Sequence, residues 1–270
     1  MSAVLQLSDL HLGRMPERED ERLAILVETA RMQAPDLIVI SGDLCDDAPC
    51  IPEQIEFGKR SVDALTSIAP VRIIPGNHDI GNKPGIANDA LTPKRYAQWQ
   101  KVFGNGWFRE DLAGYAVLGL NSQIMGSGYN EEAQQRQWLD DQLATCEHAI
   151  VFMHMPPDLP ALVDVDSTQR KNLRYWPVDS EPRGPLLERL RSPKIQVLCS
   201  GHLHNHADLP HATPPRRWCP SLSFGVTIPG VTGTLSRGDR IGGLRHTLRS
   251  DAVTSAFVPV DLPVSRPMTL

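Results

Sequence analysis

The sequence is poor in aromatic side chains, 6% of its residues, and it has no apolar run long enough to cross a membrane as a helix. It lacks a basic excess too. Against 32 Asp and Glu stand 27 Lys and Arg, a formal net charge of -5, so no overall attraction to a polyanion is built in and nucleic acid is not an expected partner. Cysteine is sparse: Cys45, Cys50, Cys146, Cys199 and Cys219 are scattered, odd in number and without a C-x-x-C pair. That excludes a disulfide framework and a structural zinc site as organising features and points to reducing surroundings. Residues 1–9 carry neither a basic segment nor a long apolar one, so the sequence reads as that of a cytoplasmic protein with no membrane partner.

What is present suits burial: 270 residues, 41% hydrophobic and 22% charged, can form a substantial core and are read here as one domain over residues 1–270. Short β-branched or leucine-rich runs alternate with amphipathic stretches, the pattern of βαβ units around a buried sheet. Residues 3–7 predict a first strand. Leu23, Leu26, Val27 and Ala30 recur at helical spacing before Pro35, and residues 36–40 form a near-continuous apolar strand of the kind buried on both faces. Ile55, Val62 and Leu65 mark a second helix, and residues 71–74 a third strand that stops at Pro75 and Gly76. The alternation continues with strands at 115–120, 148–153 and 195–198 and helices at 131–144 and 185–191. After Gly201 the helical pattern fades. Segments around Trp218, 222–228, 243–248 and 256–260 predict strands, so residues 205–270 are expected to complete a second sheet. The expected fold is of the α/β class, a four-layer α-β-β-α sandwich with two sheets face to face and helices outside. Residues 155–184, rich in Pro, Asp and Arg with little periodicity, are expected to form a loop on the rim of the site.

Polar side chains able to bind metal fall just after these strands: Asp9 and His11, Asp43, Asn77 with His78 and Asp79, His154, and His202 with His204. Ligands of open α/β sheets gather beyond the carboxyl ends of the strands, so junctions far apart in sequence converge on one cleft. Taken singly, each is ordinary. Gly76 and Asn77 are a common turn signal, and a lone histidine on a strand is more often a core residue than a ligand. Together, carboxylate, imidazole and amide oxygen suit borderline divalent ions such as manganese, iron or zinc rather than calcium, and this many donors implies two ions.

In chain order the residues spell D-x-H, G-D, G-N-H-D, H and G-H-x-H, a series that resembles the calcineurin-like metallophosphoesterase superfamily over roughly residues 3–205. The resemblance implies two divalent or mixed-valence ions, the first held by Asp9, His11, Asp43 and His204 and the second by Asp43, Asn77, His154 and His202, with Asp43 bridging. It also implies hydrolysis of a phosphate ester by a hydroxide held between the ions, with His78 as the acid or charge-stabilising group and Asp79 orienting its ring. Arg14, on the same loop as His11, is a candidate phosphate contact alongside Asn77 and His78. Asn121, Tyr129, Tyr175 and Trp176 are candidates for a pocket wall.

Residues 75–82, 120–123, 137–139 and 148–152 look similar to eukaryotic calcineurin-like phosphoesterase-domain phosphatases, whereas length and compactness resemble the bacterial class III cyclic-nucleotide phosphodiesterases. Purple acid phosphatases carry a tyrosine three residues after the bridging aspartate, and here Asp46 stands in its place. The expected function is a phosphodiesterase on small or nucleotide-like esters. The alternatives are a phosphomonoesterase acting on proteins or small molecules and, outside enzymes, a metal-free scaffold on the same fold. A homodimer is compatible with the sequence.

Overall fold

The apolar runs become strands because each finds partners on both faces. In the computed structural model, which describes residues 1–83, 89–159, 175–227, 240–250, 252–263 and 268–269, β1 (Ser2–Leu7), β2 (Leu37–Ser41) and β3 (Val71–Ile74) lie parallel in that order. Their side chains alternate. Val4, Leu37, Val39 and Ile74 face a second sheet, while Leu5, Leu7, Ile38 and Ile40 face Leu26 and Ala30 of α1 (Glu19–Gln33) and Leu65 of α2 (Gln54–Thr66). Each such leucine or isoleucine, essentially unexposed, stabilises the fold by about 1.5–3 kcal/mol.

After α3 (Asn77–Ile80) and α4 (Pro93–Phe103), the chain builds the second sheet from β4 (Phe108–Leu112), β5 (Tyr115–Leu120), β6 (His148–Met153) and β7 (Ile195–Ser200). Here β5, β6 and β7 are parallel and β4 is an antiparallel edge. Val117, Ile150, Phe152 and Val197 point at the first sheet. Leu118, Leu120, Val151 and Met153 point outward at α5 (Asn130–Thr145) and α6 (Ser180–Leu190). The result is the expected pair of sheets flanked by helices. Register sets the site: Leu7 pairs with Ile40, Ile40 with Ile73 and Met153 with Ser200, so the strand ends that carry the polar motifs come level.

Three expectations change. Residues 205–270 do not complete one sheet: β8 (Ala207–Leu209) and β9 (Arg216–Trp218) extend the second sheet beside β7, whereas β11 (Gly242–Leu248) and β12 (Val253–Pro259) return to the first, with β11 antiparallel to β1. Both sheets had an open edge, and each unpaired edge draws a strand. Of the strand expected over 222–228, only β10 (Val226–Thr227) forms, pairing with β13 (Met268–Thr269), and residue 228 lies outside the described residues. The expected rim loop, 155–184, gives up its last residues to α6, which starts at Ser180 rather than near Pro185, and its residues 160–174 lie outside the described residues. The sequence pattern had also passed over α4, although Thr92 caps it by accepting from the Arg95 N–H and Pro93 opens it.

Candidate metal centre

Five strand ends carry seven donor side chains. Asp9 and His11 follow β1, Asp43 follows β2, Asn77 opens α3 after β3, His154 follows β6, and His202 and His204 follow β7. The first two loops are laced together, with Asp9 N–H donating to Gly42 O and His11 N–H to Asp43 O, both at 3.0 Å. Asp9 (φ 54°), His11 (46°), Asp43 (49°), His202 (67°) and His204 (50°) adopt a left-handed backbone conformation, strain of about 1–3 kcal/mol each for a non-glycine residue. Among the described non-glycine residues only Ala34 and Ala113 otherwise share it, so the strain is concentrated where side chains are turned inward. Two glycines allow the loops to close on one another. A Cβ at Gly76 would run into the Asp43 carboxylate, and one at Gly201 into the Ser8 hydroxyl.

All seven donors are buried. Donor atoms of Asp9, His11, Asp43 and His204 lie within 4.8 Å of one another, as do those of Asp43, His154 and His202, so Asp43 belongs to both groups. Asn77 joins the second group: its Oδ1 is 3.2 Å from His154 Nε2, which is itself 3.1 Å from Asp43 Oδ2. In the first group, His204 Nε2 lies 3.2 Å from Asp9 Oδ1 and 3.2 Å from His11 Nε2.

The outer nitrogen of every imidazole meets an oxygen. His154 Nδ1 is 2.9 Å from Ser41 O, His204 Nδ1 2.7 Å from Phe224 O and His202 Nε2 3.1 Å from Tyr175 O. His11 Nδ1 is 3.2 Å from Asp46 Oδ1, at an angle too skewed for a well-formed hydrogen bond. A proton on each outer nitrogen leaves the inner one with a bare lone pair, the tautomer that a metal ligand requires. Two such lone pairs, on His11 and His204, face each other and cannot satisfy one another. Charge makes the same demand. Burial pushes the Asp9 and Asp43 carboxyls up, but His204 and His154 respectively hold them below the ordinary carboxylate range. Burial pulls His154 down, yet Asp43, joined by Asp9 and the Ser41 carbonyl, outweighs that and lifts the imidazole to about 9, while burial and then His154 take His202 down to about 3. The buried carboxylates call for positive charge, and the donor set fits a pair of borderline divalent cations.

His78 is half-buried and lines a cavity of about 30 Å³ with Asp43, Tyr175, Trp176, His202, His204, Phe224 and Val226. Its backbone N–H donates to Asp43 Oδ1 at 2.8 Å, and its ring Nδ1 faces the Asp46 carbonyl. Burial lowers the pKa of this imidazole, but Asp43, Asp46 and Asp79 together more than offset that and leave it raised. The expected orienting role of Asp79 is not met. Its carboxylate turns back along α3 and accepts from the N–H groups of Gly76 (2.8 Å), Cys45 (2.9 Å) and Leu44 (3.3 Å), tying the loop after β2 to the start of α3. Burial, with repulsion from Asp43, pushes that carboxyl up to about 7.

Arg14 pairs with Asp46 Oδ1 at 3.2 Å and stacks 4.2 Å from the Phe224 ring centroid. Tyr175 and Trp176 do wall the cavity. Asn121 and Tyr129 do not: Asn121 is buried and caps the Gln123 N–H, and Tyr129 packs against the cluster of Ile80 and Trp99. Asp46 went unassigned in the sequence, although a carboxylate three residues past Asp43 on the same loop was a usable signal. The carbonyls of Ser41, Tyr175 and Phe224 carry none, since every residue has one.

The architecture and the donor groups define a class. A family model described as calcineurin-like phosphoesterase matches residues 2–206, and the chain belongs to this family. Serine/threonine-protein phosphatase CPPED1 from Homo sapiens is 31% identical over 184 residues, covering 64% of this chain and 54% of that protein. A probable cyclic nucleotide phosphodiesterase from Fibrobacter succinogenes is 31% identical over 169 residues, 57% of each. The chain therefore spans about half the length of the curated relatives it matches. A dimetal phosphatase from Danio rerio superposes over 95% of both chains with a TM-score of 0.63 at 11% identity, a likeness of fold. No helix among the described residues is long and apolar enough to cross a membrane.

Proposed function

We propose that the chain is a metal-dependent phosphoric ester hydrolase acting on small, nucleotide-like phosphodiesters, with residues 1–270 working as one domain. The observation that carries this reading is the double donor group sharing Asp43, inside a family of phosphoesterases. Two ions of the manganese, iron or zinc type, held by Asp9, His11, Asp43 and His204 and by Asp43, Asn77, His154 and His202, would supply Lewis acidity toward water and the phosphoryl oxygens. Asp43 offsets the repulsion between two cations. His78, with Nδ1 engaged by the Asp46 carbonyl, presents Nε2 toward the leaving oxygen and delivers a proton there, while Arg14 at the edge of the site is assigned to the remaining oxygens of the ester. Asp79 contributes by holding the backbone that carries Asn77 and His78.

The narrow cavity, walled by Tyr175, Trp176 and Phe224, favours a small ester end over a bulky protein loop. Identity to the protein phosphatase CPPED1 supports a second reading, phosphomonoester hydrolysis. Five unpaired cysteines, four of them buried, support a reducing, cytoplasmic location. The test is a manganese-supplemented panel of bis-p-nitrophenyl phosphate, p-nitrophenyl phosphate, cyclic nucleotides and phosphopeptides, run beside elemental analysis. Diester turnover is expected to dominate and to vanish on chelation. Dominant monoester turnover would replace the diesterase with a phosphatase, and protein without stoichiometric metal would leave the scaffold alternative.

A further inference from the structure

Resting on the dinuclear reading, the geometry points to Tyr175 as a positioning residue for the second ion alone: it holds two of that ion's protein ligands at once, one by its hydroxyl and one by its peptide carbonyl. An amide that turns its oxygen toward a cation sends its NH₂ the other way. Asn77 is 0% exposed, so that NH₂ needs a buried acceptor. Asn77 Nδ2 donates to Tyr175 Oη at 3.0 Å while Oδ1 faces His154 Nε2. On its other side, the Tyr175 carbonyl lies 3.1 Å from His202 Nε2, which keeps the proton there and leaves Nδ1 for the cation. Both contacts fall in the Asp43, Asn77, His154 and His202 group. The outer nitrogens of the first group's histidines face other residues, His11 Nδ1 the Asp46 carboxylate and His204 Nδ1 the Phe224 carbonyl.

The segment carrying Tyr175 is itself fastened. Lys83 Nζ, on the loop that follows Asn77, donates to Pro177 O at 2.6 Å, and Val178 N–H donates to Pro156 O at 2.9 Å. The Tyr175 ring packs 5.0 Å from the rings of both His202 and Trp176. The stretch of chain that supplies Asn77 thus also anchors the residue that orients it, and occupancy of the second site is coupled to how residues 175–178 are seated.

The experiment strips the full-length protein of metal and titrates Mn²⁺ into wild type, Tyr175→Phe and Lys83→Met, following heat and the electron paramagnetic signal of a coupled pair. Wild type is expected to take two ions. Tyr175→Phe keeps the carbonyl contact and loses only the acceptor for Asn77, so the first ion binds as in wild type and the second about 10- to 100-fold more weakly, the usual effect of removing an outer hydrogen bond from a metal ligand. Lys83→Met is expected to weaken the same step, and it carries the test if Tyr175→Phe fails to fold by circular dichroism. Wild-type affinity for both ions in the folded variants overturns the proposal, and so does equal weakening of both, which a general loosening would produce. A wild type that takes fewer than two ions overturns the dinuclear reading itself.

Discussion

Asp43 is the residue on which the two donor groups meet, and its carboxylate also accepts from the His78 N–H. Asp43→Asn keeps the shape and removes the charge. It is expected to bring metal content well below that of wild type and hydrolysis down by at least about 100-fold; a variant that retained full metal by elemental analysis would take Asp43 out of the bridging position. His78 differs in kind, because its ring lines the cavity without belonging to either buried donor group that contains Asp43. His78→Ala is expected to bind metal as wild type does while kcat falls about 10²- to 10⁴-fold, the usual contribution of a positioned acid. Undiminished turnover would remove the acid role from His78. At this scale the sequence was legible in residue type and order, since a short motif after a strand encodes its own placement. It was not legible in direction: Asp79 adjoins His78 in the chain, yet the backbone of α3 turns it toward Gly76 and Cys45.

Helix α1 does more than cover the first sheet. Arg22, whose side chain is fully buried, donates Nη2 to Leu10 O at 2.6 Å and to Leu222 O at 3.2 Å, and Nη1 to Glu19 at 3.1 Å. Leu10 stands between Asp9 and His11, and Glu19 also accepts from Gly13 N–H at 2.9 Å. One buried ion pair therefore fastens the loop after β1 to the segment that leads to Phe224. Removing one partner strands the other charge in the interior, at a cost of about 3–5 kcal/mol. Arg22→Met is expected to lose that much stability in urea denaturation, and a loss below about 1 kcal/mol would show that the pair holds nothing. Helical spacing puts Arg22 on the face of Leu26 and Ala30, four and eight residues further on, but its residue type hides the burial, because a buried arginine reads in sequence like any solvated one.

At the scale of the whole molecule, the largely apolar contact between the two sheets contains a buried polar side chain, His246. This residue of β11 is 0% exposed, with Nδ1 2.8 Å from Ser255 Oγ and Nε2 3.0 Å from Gln6 Oε1, and its ring packs 5.5 Å from Phe152 of the opposite sheet. Burial, with a smaller contribution from Arg217, lowers its pKa to about 3 from the ordinary imidazole value of about 6.5. Between those values the unfolded chain binds a proton that the native state refuses, so stability is lost as pH falls below about 6.5 and is unaffected by this group above it. The expected slope approaches about 1 kcal/mol per pH unit near pH 5. Denaturation of metal-free wild type and His246→Gln at pH 7 and pH 5 checks this, since the stability gap between them should narrow or reverse on acidification. A gap independent of pH would mean that His246 is protonated without penalty.

By itself the sequence determined most of the alternation of strands and helices through β7, though not α3, α4 or β4, together with the pairing of two sheets under helices and the seven donors at strand ends. Those features are written in hydrophobic period and in motifs of two to four residues, which act locally. Only the tertiary structure decided which sheet edge received each later strand, that Asp79 serves the backbone, and that Asp46 and the carbonyls of Ser41, Tyr175 and Phe224 set the outer nitrogens of the histidines. Such choices depend on contacts between residues far apart in the chain, and a backbone carbonyl or an open edge looks the same in sequence wherever it occurs.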